Sequence, residues 1–212
     1  MSALDSQLLW PGCFDSSGSD WELPGAMEAV AKDAIRALAA KNRPRGAVNA
    51  VMQLVDWHSN RHLPLPLFVV EAFALALGLD AYLRELEAVA LQARGVQRAQ
   101  IVMQIGRSLS TVDRWRAKRS YRRRLAAARE RIATIAFDRF AIDTWSSREE
   151  AVDEVKGILR RGGEYGDPRR GDGYPSGRRQ RLLDIVIWFS ARDECLPDAV
   201  WFACACALGL AT

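Results

Sequence analysis

Residues 98–117 read RAQIVMQIGRSLSTVDRWRA, and the way this stretch folds decides how the centre of the chain is read. Ile101, Val102 and Ile105 lie at helical spacing before Gly106. Ser108, Val112 and Trp115 follow it. Glycine tolerates the left-handed backbone of a tight corner, and serine is a preferred residue for capping the helix that begins beyond it. Val112 and Trp115, three apart, share one face of that helix and point back at Ile101, Val102 and Ile105. The stretch therefore predicts two short helices pressed together across a glycine corner, with residues 80–93 as a supporting first helix.

The charge around this corner is concentrated. Residues 107–131 contain nine Arg and one Lys against Asp113 and Glu130, a net +8. Residues 160–181 hold seven Arg against Glu164, Asp167 and Asp172, a net +4. The chain of 212 residues totals only +4, so everything else carries −8. A polyanion rewards concentrated charge, because each neutralised phosphate releases a condensed counterion.

Flanking the basic centre is an internal repeat. Residues 52–79 align without a gap on 183–210, matching Trp57 with Trp188, Ser59 with Ser190, Arg61 with Arg192 and Pro66 with Pro197. The alignment closes on Ala76-Leu77-Gly78-Leu79 against Ala207-Leu208-Gly209-Leu210. Earlier, Glu28-Ala29-Val30 resembles Glu150-Ala151-Val152 at an offset nine residues smaller, which assigns the second copy a Gly/Arg-rich insertion near 162–177. Each copy reads as three helices, over 27–41, 46–60 and 67–77, and over 148–160, 178–191 and 198–208. The third helix of each is apolar on nearly all sides, the mark of a buried helix. Ser147 with Glu150 fits a capping box, and Gly78 and Gly209 suit helix C-termini. No stretch alternates as a strand does, and with 49% apolar residues the chain can build a real core. The expected fold is all-α, a duplicated three-helix unit flanking a central helix-turn-helix and a basic helix. Its segments are a loose arm (1–25), repeat 1 (26–79), the helix-turn-helix unit (80–119), a basic connecting helix (120–145) and repeat 2 (146–212).

The central segment resembles the helix-turn-helix of phage small terminase subunits, transposases and many transcriptional regulators. The resemblance rests on Gly106 at the turn, Ser108 at the cap, and Thr111-Val112 with Trp115 as Thr-Val-x-x-Trp; the run Tyr121 to Leu125 extends it to about residues 98–125. It implies binding of double-stranded DNA. Carried onto this sequence, it points Ser108, Ser110, Asp113, Arg114 and Ala117 at base edges in the major groove, with Arg114 placed for a bidentate contact to guanine. Arg107, Arg116, Lys118, Arg119, Arg122 and Arg123 then face phosphates, while Ile101, Val102, Ile105, Gly106, Val112 and Trp115 form the core of the unit. The sequence departs from the family pattern twice. Arg107 follows the turn glycine where an apolar residue is usual, which leaves Leu109 to supply that contact, and Val102 stands where a small alanine is usual.

Other chemistry is poorly provided for. His58 and His62 lie four apart without a third ligand and are read as surface residues, and Cys13, Cys195, Cys204 and Cys206 contain no Cys-x-x-Cys pair. Neither a metal site nor a cofactor is expected. Asp56, Glu71, Asp184 and Glu194 are read as exposed helix residues rather than as a catalytic carboxylate pair, and no enzyme, small-molecule substrate or membrane partner is expected. The thiols and the beginning of the chain fit a reducing cytoplasm. Tyr121, Leu125, Ala128, Ile132 and Ile135 form an apolar seam along a helix over 121–137, available either to pack on the flanking repeats or to join a second copy. The readings that follow are a DNA-binding regulator or mobile-element recognition protein, a small-terminase-like packaging subunit, or a helical protein-interaction module with Trp57 and Trp188 as exposed anchors.

Overall fold

The computed structural model of the chain describes residues 25–39, 44–131, 139–140, 142, 144–162 and 176–210. These form helices α1 (Ala26–Ala39), α2 (Arg45–Asn60), α3 (Leu67–Ala76), α4 (Asp80–Ala93), α5 (Arg98–Ile105), α6 (Leu109–Ala117), α7 (Arg119–Arg131), α8 (Arg148–Gly162), α9 (Ser176–Ser190) and α10 (Asp198–Ala207). The fold is all-α, and among the described residues there is no strand beyond one isolated bridge. The N-terminal arm, most of the Gly/Arg-rich insertion and Ile132 and Ile135 of the seam lie outside the described residues. Helix ends agree with the apolar periodicity to within a residue or two, because caps and prolines mark them, except that the end of the helix expected over 121–137 lies outside the described residues. Pro66 and Pro197 precede α3 and α10 with the same backbone angles, φ −64° and ψ 152°, where the missing N–H costs the helix nothing. The Ser147 hydroxyl accepts from Glu150 N at 3.2 Å at the start of α8.

The helices divide into two compact units, one formed by residues up to Gly78 together with those from Ser147 onward, the other by residues 79–146. In the first, α1, α2 and α3 pack on one another, as do α8, α9 and α10, and the sets meet through α2 with α10 and α3 with α9. Val55, Val69, Phe73, Leu183, Val186, Phe189 and Val200 are among the fully buried side chains.

Several contacts within and between the two sets recur in register with the sequence repeat. Ser59 Oγ donates to Leu196 O at 3.4 Å, and its counterpart Ser190 Oγ donates to Leu65 O at 2.6 Å. Pro64 bridges Cys195, its own counterpart, in antiparallel sense. The Arg61 guanidinium stacks over Trp57 at 4.3 Å, and that of Arg192 over Trp188 at 4.2 Å. The helices before these contacts end alike, on His62 and Asp193 with φ of 53° and 52°. In each, the following N–H returns to the carbonyl five residues back, Leu63 to His58 and Glu194 to Phe189, the closure of a Schellman motif.

Two side chains expected at the surface, His58 and Asp184, are not there. His58 is buried, because it continues the three-and-four spacing of Val51, Leu54 and Val55. Its Nδ1–H donates to Leu54 O at 2.7 Å, and its ring packs edge-on against Trp57. Asp184 is buried with the rest of α9, whose residues 182–189 are all enclosed. Trp188 is 2% exposed and Trp57 only partly exposed beneath Arg61, so neither is an open anchor.

Burial holds the His58 pKa below its ordinary value, the hydrogen bond to Leu54 opposing it and the charge of Arg61 adding to it. The folded state thus favours neutral His58. Stability should be full above about pH 6.5, where the unfolded imidazole is also neutral, and should fall as pH drops through that value toward the lowered folded pKa. Denaturant melts across this window should show a loss of up to about 1.4 kcal/mol per pH unit. His58→Phe, which installs the residue found at 189, should flatten that slope whatever it does to absolute stability; an unchanged slope would place the titration elsewhere.

Candidate nucleic-acid interface

The second unit is built on α4. Its Ala88 and Val89 share a core with Ile101 and Ile105 of α5, Val112 and Trp115 of α6, and Tyr121, Leu125 and Ala128 of α7; Leu91, Ala93, Val96 and Val102 pack around it while partly exposed. The described part of the seam on α7, Tyr121, Leu125 and Ala128, is thus covered by α4 inside the unit. This makes the helix expected as a connector a fourth member of the unit. Tyr121 is fully buried, and its hydroxyl donates to Gln92 Oε1 at 2.8 Å. Burial pushes its pKa up to about 12, so it stays a neutral donor.

Between α5 and α6 the chain turns at Gly106, whose φ of 62° and ψ of 35° are left-handed. Ser108 then takes an extended backbone, and its Oγ accepts from Thr111 N at 3.3 Å. The Ser110 and Thr111 hydroxyls lie 3.0 and 2.9 Å from the same Oγ, so the three form one capping cluster. Val112 is fully buried and Trp115 is 4% exposed. That orientation leaves the opposite face of α6 to Ser110, Asp113, Arg114 and Ala117, of which Ser110, Arg114 and Ala117 are exposed. Ser108 is exposed beside them.

Carboxylates sort the basic residues into held and open groups. Asp80, at the start of α4, pairs with Arg107 and lies 3.7 Å from Arg84. Glu85, 4% exposed, accepts from Lys118 Nζ at 2.5 Å. Glu87, also buried, accepts from Arg84 at 2.9 Å and Arg139 at 2.7 Å. On α6, Asp113 accepts from Arg98 at 3.0 Å and has Arg116 at 3.9 Å. Buried carboxylates need such partners, since an unpaired one would lose hydration without return. Arg122 donates to Ala117 O at 3.3 Å. Among the described residues, Arg114, Arg119 and Arg123 have no carboxylate partner, and all three are exposed.

Two placements differ from expectation. Leu109 does not replace an inward apolar contact, being 44% exposed at the first position of α6. The position after the turn glycine is filled by Arg107, which Asp80 neutralises. Arg98 went unremarked in the sequence because its partner Asp113 is fifteen residues away across the turn. Among the described residues no cluster of His, Cys, Asp and Glu is suited to a metal ion, and no helix is long and apolar enough to cross a membrane.

The corner is testable by stability. A Cβ on Gly106 would meet nothing within 4 Å, so Gly106→Ala carries only the backbone penalty of the left-handed region, about 1–2 kcal/mol. Gly106→Asn should cost less. Ser108→Ala removes the cap at a cost of about 1 kcal/mol. Denaturant melts should rank the variants in that way, and a Gly106→Ala protein as stable as the parent would contradict the geometry. Comparison with protein-family models, curated proteins and solved structures finds no match to this chain.

Proposed function

We propose that this chain binds duplex DNA through α6, as a transcriptional regulator or a DNA-recognition protein of a mobile element. The reading rests on one observation above the others: α6 buries Val112 and Trp115 while its opposite face leaves Arg114 open and, among the described residues, without a carboxylate partner. An α-helix of this kind fits the major groove, where arginine recognises guanine by two parallel hydrogen bonds. Ser108, Ser110 and Ala117 stand on the same side as lesser base contacts, and the Asp113 carboxylate is an acceptor suited to a cytosine amino group. Arg119, Arg122 and Arg123, at the start of α7, supply phosphate contacts that position the helix without choosing sequence. Arg107, Arg116 and Lys118 add to the positive field from their places beside Asp80, Asp113 and Glu85. A protein-interaction module anchored on exposed tryptophans is the weaker reading, because Trp188 is enclosed.

Fluorescence anisotropy on a mixed-sequence duplex across a salt series tests the proposal. Affinity should fall steeply, the logarithmic slope gaining about 0.9 per phosphate contacted. Arg119→Ala with Arg123→Ala should weaken binding on all sequences alike and reduce the slope by about two. Arg114→Ala should instead relax the preference at one base pair, worth about 1–3 kcal/mol of discrimination, in a binding selection. A flat salt response, or an Arg114→Ala selection identical to the parent, would refute the assignment.

A further inference from the structure

The symmetry inside the first unit bears on what kind of DNA site the second unit reads. The hydrogen bond from Ser59 to Leu196 is returned at the equivalent position by Ser190 to Leu65, and Pro64 faces its own counterpart Cys195, while the bond from Arg179 to Leu77 O stands outside this reciprocity. An interface in which residue i meets j and j meets i is isologous, the form that joins two identical subunits about a two-fold axis. Here both partners belong to one chain. The face through which two copies of such a three-helix unit would associate is therefore already occupied from within.

The seam on α7, which the sequence offers for joining a second copy, is covered over its described part as well. Tyr121, Leu125 and Ala128, the described part of the apolar seam on α7, are buried against α4. The pair of repeats also encloses a single turn unit in the sequence, so an internal two-fold relating the repeats has no second reading helix to relate. A dimeric helix-turn-helix protein gains its palindromic site by presenting two reading helices one helical turn apart. This chain spends its two-fold pairing on a scaffold and carries one α6.

We infer that the chain acts on DNA as a monomer, with one reading helix per molecule, and takes a single non-palindromic site. The inference rests on the DNA-binding reading proposed above. It makes Arg114 and the capping cluster the reader of one half-site only, with affinity supplemented by Arg119, Arg122 and Arg123 rather than by a second subunit.

The full chain should be tested by binding selection, followed by light scattering of the complex on a selected duplex of roughly 20 base pairs, long enough to seat two half-sites one turn apart. The expected outcome is an asymmetric selected motif and one chain per motif. Placing a second inverted motif one helical turn away should raise apparent affinity only about two-fold, the statistical factor, whereas a dimer spanning both would gain a hundred-fold or more. A palindromic motif, two chains bound cooperatively, or a ring of several chains on the duplex would overturn the inference while leaving DNA binding intact. Absence of any salt-sensitive binding to duplex DNA would overturn the DNA-binding reading, and the site statement with it.

Discussion

A segment of 25 residues carrying a net +8 must find something to fold against, and α4 meets that need in two ways. One side of α4 offers Ala88 and Val89 to the apolar residues of α5, α6 and α7. Elsewhere along it, Asp80 and Glu85 hold Arg107 and Lys118 of that segment, while Glu87 holds Arg84 and Arg139 from outside it. Apolar burial supplies the non-directional drive, and the carboxylates relieve part of the self-repulsion that compaction of such a segment creates. What the acids of α4 do not hold is as consequential as what they do, because Arg114, Arg119 and Arg123 are left facing outward.

The left-handed corner at Gly106 converts this compensation into a directed surface. It ends α5 and lets α6 turn so that Trp115 faces the core, and the opposite face of the helix follows from that single orientation. Ser108 satisfies an amide that would otherwise be orphaned at the new N-terminus, and in doing so ties Ser110 and Thr111 into the same cluster. Asp113 is the one carboxylate on the outward face of α6, and Arg98 holds it. The side of α6 proposed to meet DNA thus combines an exposed guanidinium, a tethered acceptor and small hydroxyl groups, a mixture able to distinguish bases rather than only to attract phosphate.

Much of the architecture was legible in the sequence because it is encoded locally. Apolar spacing, prolines before α3 and α10, and Ser147 and Ser108 as caps locate helices within a few residues, and the repeat announces equivalent helices before any contact is known. The inward turn of Val112 and Trp115 is legible for the same reason. Ion pairs were not, since Arg107 with Asp80 and Lys118 with Glu85 join residues 27 and 33 apart, and sequence spacing says nothing about which acid meets which base across a fold. Leu109 was misread because an apolar residue near a turn carries no sign of its direction. His58 had a signal, the spacing of Val51, Leu54 and Val55, but its ionisable ring argued for the surface. That the repeats face one another with reciprocal contacts is a property of the assembled unit that alignment alone does not contain.

The central claim is that the outward face of α6 is where this chain meets DNA. Amide chemical-shift mapping on the isotope-labelled full chain during titration with a selected duplex tests it most directly. The account predicts that the largest perturbations fall on Ser110, Arg114, Ala117, Arg119 and Arg123 while Val55 and Val186 in the core of the repeats stay unmoved. Perturbations concentrated on the repeats, with those five amides unaffected at saturation, would contradict it.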